Sequence, residues 1–170
     1  MTQKILGAAL ILAACGGMGF YQAANHRRKE QLLKQMMTAV KFMICELQYR
    51  QTALPNLIAL AAEESTGTIR QLLRAMAQEL DRQIAPDAAC CMQAVLTTHT
   101  KLPQQVLQKL ELFGRTLGRF DLHGQLTGLE AVYQLCQRDL DGLMLNRDAR
   151  IRSYGTLGLC AGAALVILFI

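Results

Sequence analysis

Residues 121–145 read DLHGQLTGLEAVYQLCQRDLDGLML. Leu122, Leu126, Leu129, Val132, Tyr133, Cys136, Leu140, Leu143 and Leu145 recur there, mostly at spacings of three and four. That period marks one face of an α-helix, whereas a half-buried strand would alternate at every second residue. Asp121 stands where an N-cap belongs, with a carboxylate short enough to accept from the free N–H groups of a first turn. A long, apolar-striped helix of this kind needs other helices to cover it.

Reading back toward the N-terminus supplies them. Thr100 and Pro103 precede Val106, Leu107, Leu110 and Phe113, a helical face that ends at Gly114. Asp87, just after Ala85-Pro86, is placed to cap a helix bearing Ala88, Met92 and Val95. Ile69, Leu72, Leu73, Met76 and Leu80 define another helix, separated by Ser65-Thr66-Gly67 from one that carries Leu57, Ile58 and Leu60. The latter begins near Leu54-Pro55, with Thr52 as its cap and proline suited to a first turn that has no use for its N–H. Between residues 26 and 50, Leu33, Met36, Met37, Val40, Ile44 and Leu47 give a further face. No stretch shows strand alternation or an Asn-Gly hairpin turn. The expectation is an all-α fold, a six-helix bundle over residues 26–150 with short connections.

The ends of the chain are different. Residues 5–21 and 153–170 contain no charged residue, while Lys4 is the only charged residue outside 22–152. At 1.5 Å per helical residue, 17 or 18 residues is the short end of what crosses a hydrocarbon core of roughly 30 Å. The bundle is therefore expected to lie between two transmembrane helices, at residues 4–22 and 153–170. Arg27, Arg28 and Lys29 follow the first run, and Arg147, Arg150 and Arg152 precede the second. Positive charge is retained on the cytoplasmic side, which puts the bundle in the cytoplasm. Small residues at Ala9, Ala13 and Gly17, and at Gly158 and Gly162, recur every fourth position and allow close helix packing in lipid. The competing reading is a lipoprotein signal, Leu12-Ala13-Ala14-Cys15, lipidated at Cys15. Against it stand a single Lys4 as the basic region and an apolar run that continues past the cysteine.

These two kinds of sequence explain the average. The chain has 170 residues, 52% hydrophobic and 18% charged, yet a mean hydropathy of only +0.19. Its length excludes a large multi-domain enzyme, and six cysteines are too few and too dispersed for a disulfide-stapled miniprotein. Catalytic signatures are missing: there is no phosphate-binding GxxxxGK[ST], no GxGxxG and no HExxH. Cys90 and Cys91 are adjacent, so on a helix they diverge by about 100° and cannot ligate one metal from one face. His26, His99 and His123 are scattered at helix ends or loops, and Glu63-Glu64 and Asp139/Asp141 read as solvated surface. No catalytic residue, cofactor, metal or small-molecule substrate is expected. Nucleic acid is not an expected partner either. The net charge of +5 is spread out, and residues 23–153 hold only the aromatics Phe42, Tyr49, Phe113, Phe120 and Tyr133.

Two motifs stand out against this background. One is Glu46-x-x-Tyr49-x-x-Thr52; the other is Phe113-Gly114-x-x-Leu117-Gly118-x-x-Asp121-x-x-x-Gln125. With Gly16-Gly17-x-Gly19, the Arg27-Arg28 pair and Tyr154-Gly155-x-Leu157-Gly158, they make the chain resemble stage III sporulation protein AB along nearly its whole length. One departure is that proline comes at Pro55, whereas the family tends to place it directly after the threonine. The resemblance implies a non-catalytic assembly platform in the channel complex between mother cell and forespore. It further implies a domain similar to the cytoplasmic domains of the type II secretion inner-membrane platform protein, a place in the mother-cell membrane, and a secretion-type ATPase as partner. A membrane-tethered helical adaptor or sensor is the alternative. Within the second motif, Arg115, Arg119 and Asp121 are expected to face a partner if the segment does more than shape a turn. Glu46 and Tyr49 share a helical face, and the sequence leaves open whether they point inward or outward.

Overall fold

The computed structural model describes residues 2–82, 87–98, 102–118 and 121–145, with side chains from Ala24 onward. Among the described residues there are six helices and no strand: α1 (Thr2–Arg50), α2 (Leu54–Glu64), α3 (Gly67–Asp81), α4 (Ala88–Thr98), α5 (Gln104–Thr116) and α6 (Leu122–Leu145). Lys29–Leu140 form one compact unit. In it α2 packs on α3, α3 on α4 and α4 on α5.

The N-terminal reading needs correction. Residues 4–22 and 26–50 were expected as separate helices, but α1 runs without interruption from Thr2 to Arg50. The reason is local: between Phe20 and Leu54 the sequence has neither proline nor glycine, so nothing stops propagation. Among the described residues, no helix is long and apolar enough to cross a membrane. The side chains of Ala9, Ala13, Cys15 and the rest of residues 1–23 lie outside the described residues, as do residues 153–170 with Gly158 and Gly162.

The core is built from Leu33, Met36, Val40, Met43 and Leu47 of α1, Leu57 and Ile58 of α2, and Ile69, Leu72, Leu73 and Met76 of α3. Cys91, Met92 and Val95 of α4, Val106, Leu110 and Phe113 of α5, and Leu129, Val132 and Cys136 of α6 complete it. Several expected core positions are less covered. Met37, Ile44, Leu80, Leu107, Leu126, Tyr133 and Leu143 are half-buried. Leu60, Leu122 and Leu145 are exposed, while Leu32, Ala39, Ala61, Ala62 and Cys91 take buried positions instead. The buried stripe of α1 is wide enough to take in Leu32 and Ala39 beside the expected face, as a core-facing helix requires.

The ends of the helices follow from their residues. Asp87 Oδ1 accepts from the Cys90 N–H at 2.7 Å, and Asp121 Oδ1 from the Gly124 N–H at 3.0 Å, so both aspartates are true N-caps. Thr52 is not a cap: α2 starts after Ala53 with Pro55 in its first turn, and no side chain caps it. Pro103, rather than Thr100, occupies the N-cap position of α5, and Thr100 lies outside the described residues. α5 continues past Gly114 to Thr116. One ion pair ties α5 to α6, Lys109 Nζ to Asp139 Oδ2 at 2.5 Å, so Asp139 is not the freely solvated carboxylate the sequence suggested.

Candidate interaction site

The sequence singled out residues 46–52 and 113–125, and the fold brings Leu54, two residues past the first segment, against Gly118 of the second. α1 ends at Arg50, and Gln51 turns the chain with φ 50, a left-handed conformation usually taken by glycine at a helix C-terminus. Glu46, one turn earlier, holds that corner. Its Oε2 accepts from Thr52 Oγ1 at 3.1 Å and its Oε1 pairs with Arg50 Nη1 at 3.4 Å. The Glu46 side chain is only 12% exposed. Glu46 and Thr52 therefore point back at each other across the turn, and the threonine of the first motif closes the end of α1 rather than opening α2.

The second motif forms the corner between α5 and α6. Phe113 and Leu117 are buried, one in the last turns of α5 and the other just beyond it. Gly114 is buried against α4: a Cβ at this position would lie 2.7 Å from Met92 Cβ, so the helices approach as closely as they do because the side chain is missing. It serves close packing inside α5, contrary to the expectation that the helical face ends at Gly114. Gly118 does turn the chain, at φ +72, which L-residues adopt at a cost. Asp121 then caps α6, and the Gln125 N–H donates to the Asp121 carbonyl at 2.9 Å in the first turn. Further along α6, a Cβ at Gly128 would lie 1.8 Å from Thr116 Cγ2, so α6 sits directly against the end of α5.

Leu54 joins the two corners. Its Cδ2 lies 3.0 Å from the position a Cβ on Gly118 would take, so the first residue of α2 rests on the α5–α6 turn. Neither motif predicts this neighbourhood by itself, because their separation of more than 60 residues is bridged only by the tertiary fold.

The resulting end of the bundle sorts the sequence-selected residues into two groups. Glu46, Phe113, Gly114, Leu117, Gly118, Asp121 and Gln125 build the corners. Tyr49 and Arg115 face outward: Tyr49 is 84% exposed, and Arg115 is exposed in the last turn of α5. Arg119 lies outside the described residues. Sequence reasoning missed Leu112 and Leu122, both assigned to apolar faces or passed over, which are exposed on either side of the second corner. Tyrosine and arginine are among the side chains that carry most binding energy in protein interfaces.

The cysteines are consistent with packing. Among the described residues Cys91 and Cys136 are buried and Cys45 and Cys90 exposed, all with free thiols, and no cluster of histidine, cysteine and carboxylate could hold a metal ion. Burial pushes the Cys136 thiol up to about 11, with Lys109 opposing and Asp139 adding to the shift. Burial also raises the Cys91 thiol, and the hydrogen bond with Asp87 raises that of Cys90. Low thiol acidity is the reverse of what a nucleophilic cysteine needs.

The comparisons with known proteins agree on one family. Residues 4–170 match the family model described as stage III sporulation protein AB. A solved structure titled stage III sporulation protein AB (SpoIIIAB) superimposes with a TM-score of 0.63 over 72% of this chain and 98% of that chain, at 18% identity. At that identity the structural likeness concerns the fold. No curated protein matches the sequence.

Proposed function

Because the chain belongs to the stage III sporulation protein AB family, we propose that it is a membrane-anchored, non-catalytic assembly platform of the channel complex between mother cell and forespore. The observation that carries the reading is that Leu54, which follows the 46–52 segment, is seated on Gly118 of the 113–125 segment. Tyr49 and Arg115 of the two segments are exposed, as are Leu112 and Leu122 on either side of the second corner in sequence. Fixed corners presenting exposed aromatic, cationic and apolar side chains suit a partner protein, since such side chains are already ordered before binding.

Anchoring rests on the charge-free runs 5–21 and 153–170 and on the arginines beside them. With those anchors the domain boundaries are residues 4–22, 26–150 and 153–170, and the helical unit faces the mother-cell cytoplasm. The partner proposed for its exposed end is the secretion-type ATPase of the same assembly, by the likeness of the helical domain to the type II secretion platform protein. Co-purification tests this. The full chain, solubilised in detergent, should retain that ATPase through size-exclusion chromatography, and Arg115→Glu with Arg119→Glu should release it without loss of helix content. An ATPase that never co-elutes with the unaltered chain would overturn the assignment of the partner.

A further inference from the structure

The helical unit begins at Lys29 on α1 and ends at Leu140 on α6, and both helices extend beyond it. At each of these two borders a side chain just inside the unit reaches the same turn of α5. Lys29 Nζ donates to Gln105 Oε1. Lys109 Nζ, one turn further along α5, pairs with Asp139 Oδ2 at 2.5 Å and donates to the Gln105 carbonyl at 3.3 Å. Lys29, Gln105, Lys109 and Asp139 thus form one connected run of polar contacts across three helices. Gln105 is the shared member: its side chain serves α1, and its backbone carbonyl serves the lysine that reaches α6.

The run lies against packed side chains. Lys109 is only 12% exposed, and Cys136, one turn before Asp139 on α6, is fully buried. The Cys136 thiol feels the charges of both Lys109 and Asp139, so it lies beneath their ion pair. The other end of α5 is held differently, by Gly114 against Met92 and by the burial of Phe113. A segment held by a few partly exposed polar contacts opens more readily than one held by a packed core. Sites that share a partner also respond together, whereas separate sites act independently. We propose that the Gln105–Lys109 turn is a clasp that locks α1 and α6 to the helical unit where each crosses its border, and that its two ties open together. Releasing either helix releases the other and bares the Cys136 thiol, while the far end of α5 stays seated on α4. The device goes beyond the docking reading and does not depend on it.

Alkylation kinetics of the full chain in detergent test the clasp, with labelled peptides resolved by mass spectrometry in a Cys90→Ser background. Cys136 and Cys91 are both fully buried, but Cys91 belongs to α4, which the clasp does not include. Gln105→Ala removes the acceptor for Lys29 and leaves the carbonyl for Lys109. Lys109→Met removes the tie to α6. Loss of its charge by itself raises the Cys136 pKa and slows alkylation, so a faster rate reports opening. Each variant should label Cys136 about tenfold faster than the unaltered chain, with the Cys91 rate unchanged. The double variant should label no faster than Lys109→Met alone, because the clasp is already open. Gln105→Ala that leaves Cys136 protected shows two separate ties and overturns the clasp. So does an unchanged Cys136 rate in Lys109→Met, or a double variant that multiplies the two single effects. Cys136 and Cys91 rising together reports a general loosening of the core and overturns it as well.

Discussion

Leu54, the first residue of α2, rests its Cδ2 3.0 Å from where a Cβ on Gly118 would stand, so the start of α2 is seated on the α5–α6 turn. The contact links two corners that are far apart in sequence. It also means that the left-handed backbone at Gly118 and the close approach of Leu54 are satisfied together, and only glycine permits both.

Gly118→Ala should therefore destabilise the chain by about 1–2 kcal/mol, the cost of holding an L-residue at positive φ, with further strain from the Leu54 methyl. Gly118→Asn should cost less in backbone strain, since asparagine tolerates this region, but it presses on Leu54 in the same way. Thermal unfolding of the detergent-solubilised chain by circular dichroism checks the order glycine, then asparagine or alanine.

At Gly114 two effects oppose each other. Alanine is the better helix former by about 1 kcal/mol. Its Cβ, however, would lie 2.7 Å from Met92 Cβ, and overpacking in a closed core costs about 1–3 kcal/mol. Packing should win, so Gly114→Ala should lower the melting temperature. Combining it with Met92→Ala should be less damaging than the sum of the two single changes, because the second removes the obstacle. Additive losses would show that the α4–α5 approach does not depend on this pair.

The Glu46–Thr52 hydrogen bond closes the end of α1 around the strained Gln51. Glu46→Ala should cost about 1 kcal/mol, and Thr52→Val a similar amount. In a double-mutant cycle the two should couple by about 0.5 kcal/mol or more, as contacting residues do. Gln51→Gly should stabilise, by relieving the left-handed conformation.

Thiol chemistry gives a pH-dependent prediction. The buried Cys136 has its pKa raised from 9.0 to about 11, so the folded chain keeps a proton that the unfolded chain releases. Its contribution to stability is complete below about pH 9 and is lost as pH rises toward about 11. Stability of the unaltered chain should fall through that window, and Cys136→Ala should flatten the fall, though it lowers stability at neutral pH by leaving a cavity. Peptide mapping after brief alkylation at neutral pH should find Cys45 and Cys90 modified before Cys91 and Cys136.

Local features of the sequence translated directly into structure. The aspartate caps at Asp87 and Asp121, the proline in the first turn of α2 and the break at Ser65-Thr66-Gly67 all act within one turn of the chain, and all six helices follow from them and from apolar periodicity. Where the reading failed, the deciding partner was distant or the local signal was permissive. Thr52 looked like a cap because it precedes a helix, but Glu46 across the turn claims its hydroxyl. Gly114 looked like a terminator, but its role is set by Met92 on another helix. Asp139 looked solvated until α5 brought Lys109, only 12% exposed, against it. Leu60, Leu122 and Leu145 fit the helical period yet lie outside the core, because periodicity identifies a face and not how far a neighbouring helix covers it. The seating of Leu54 on Gly118 was not legible at all, since the second motif was complete as a local pattern.

The proposed docking surface is carried by Tyr49 and Arg115, the exposed side chains of the two motifs. Its most direct test is the affinity of the purified full chain for the proposed partner, the secretion-type ATPase, compared among the unaltered chain, Tyr49→Ala and Arg115→Glu. Both substitutions are on exposed side chains and should leave helix content and melting temperature unchanged. Affinity should fall about tenfold or more for each, as expected when an interface loses a tyrosine or arginine anchor. Unchanged affinity in both variants, with the unaltered chain binding tightly, would contradict the account and place the docking surface elsewhere.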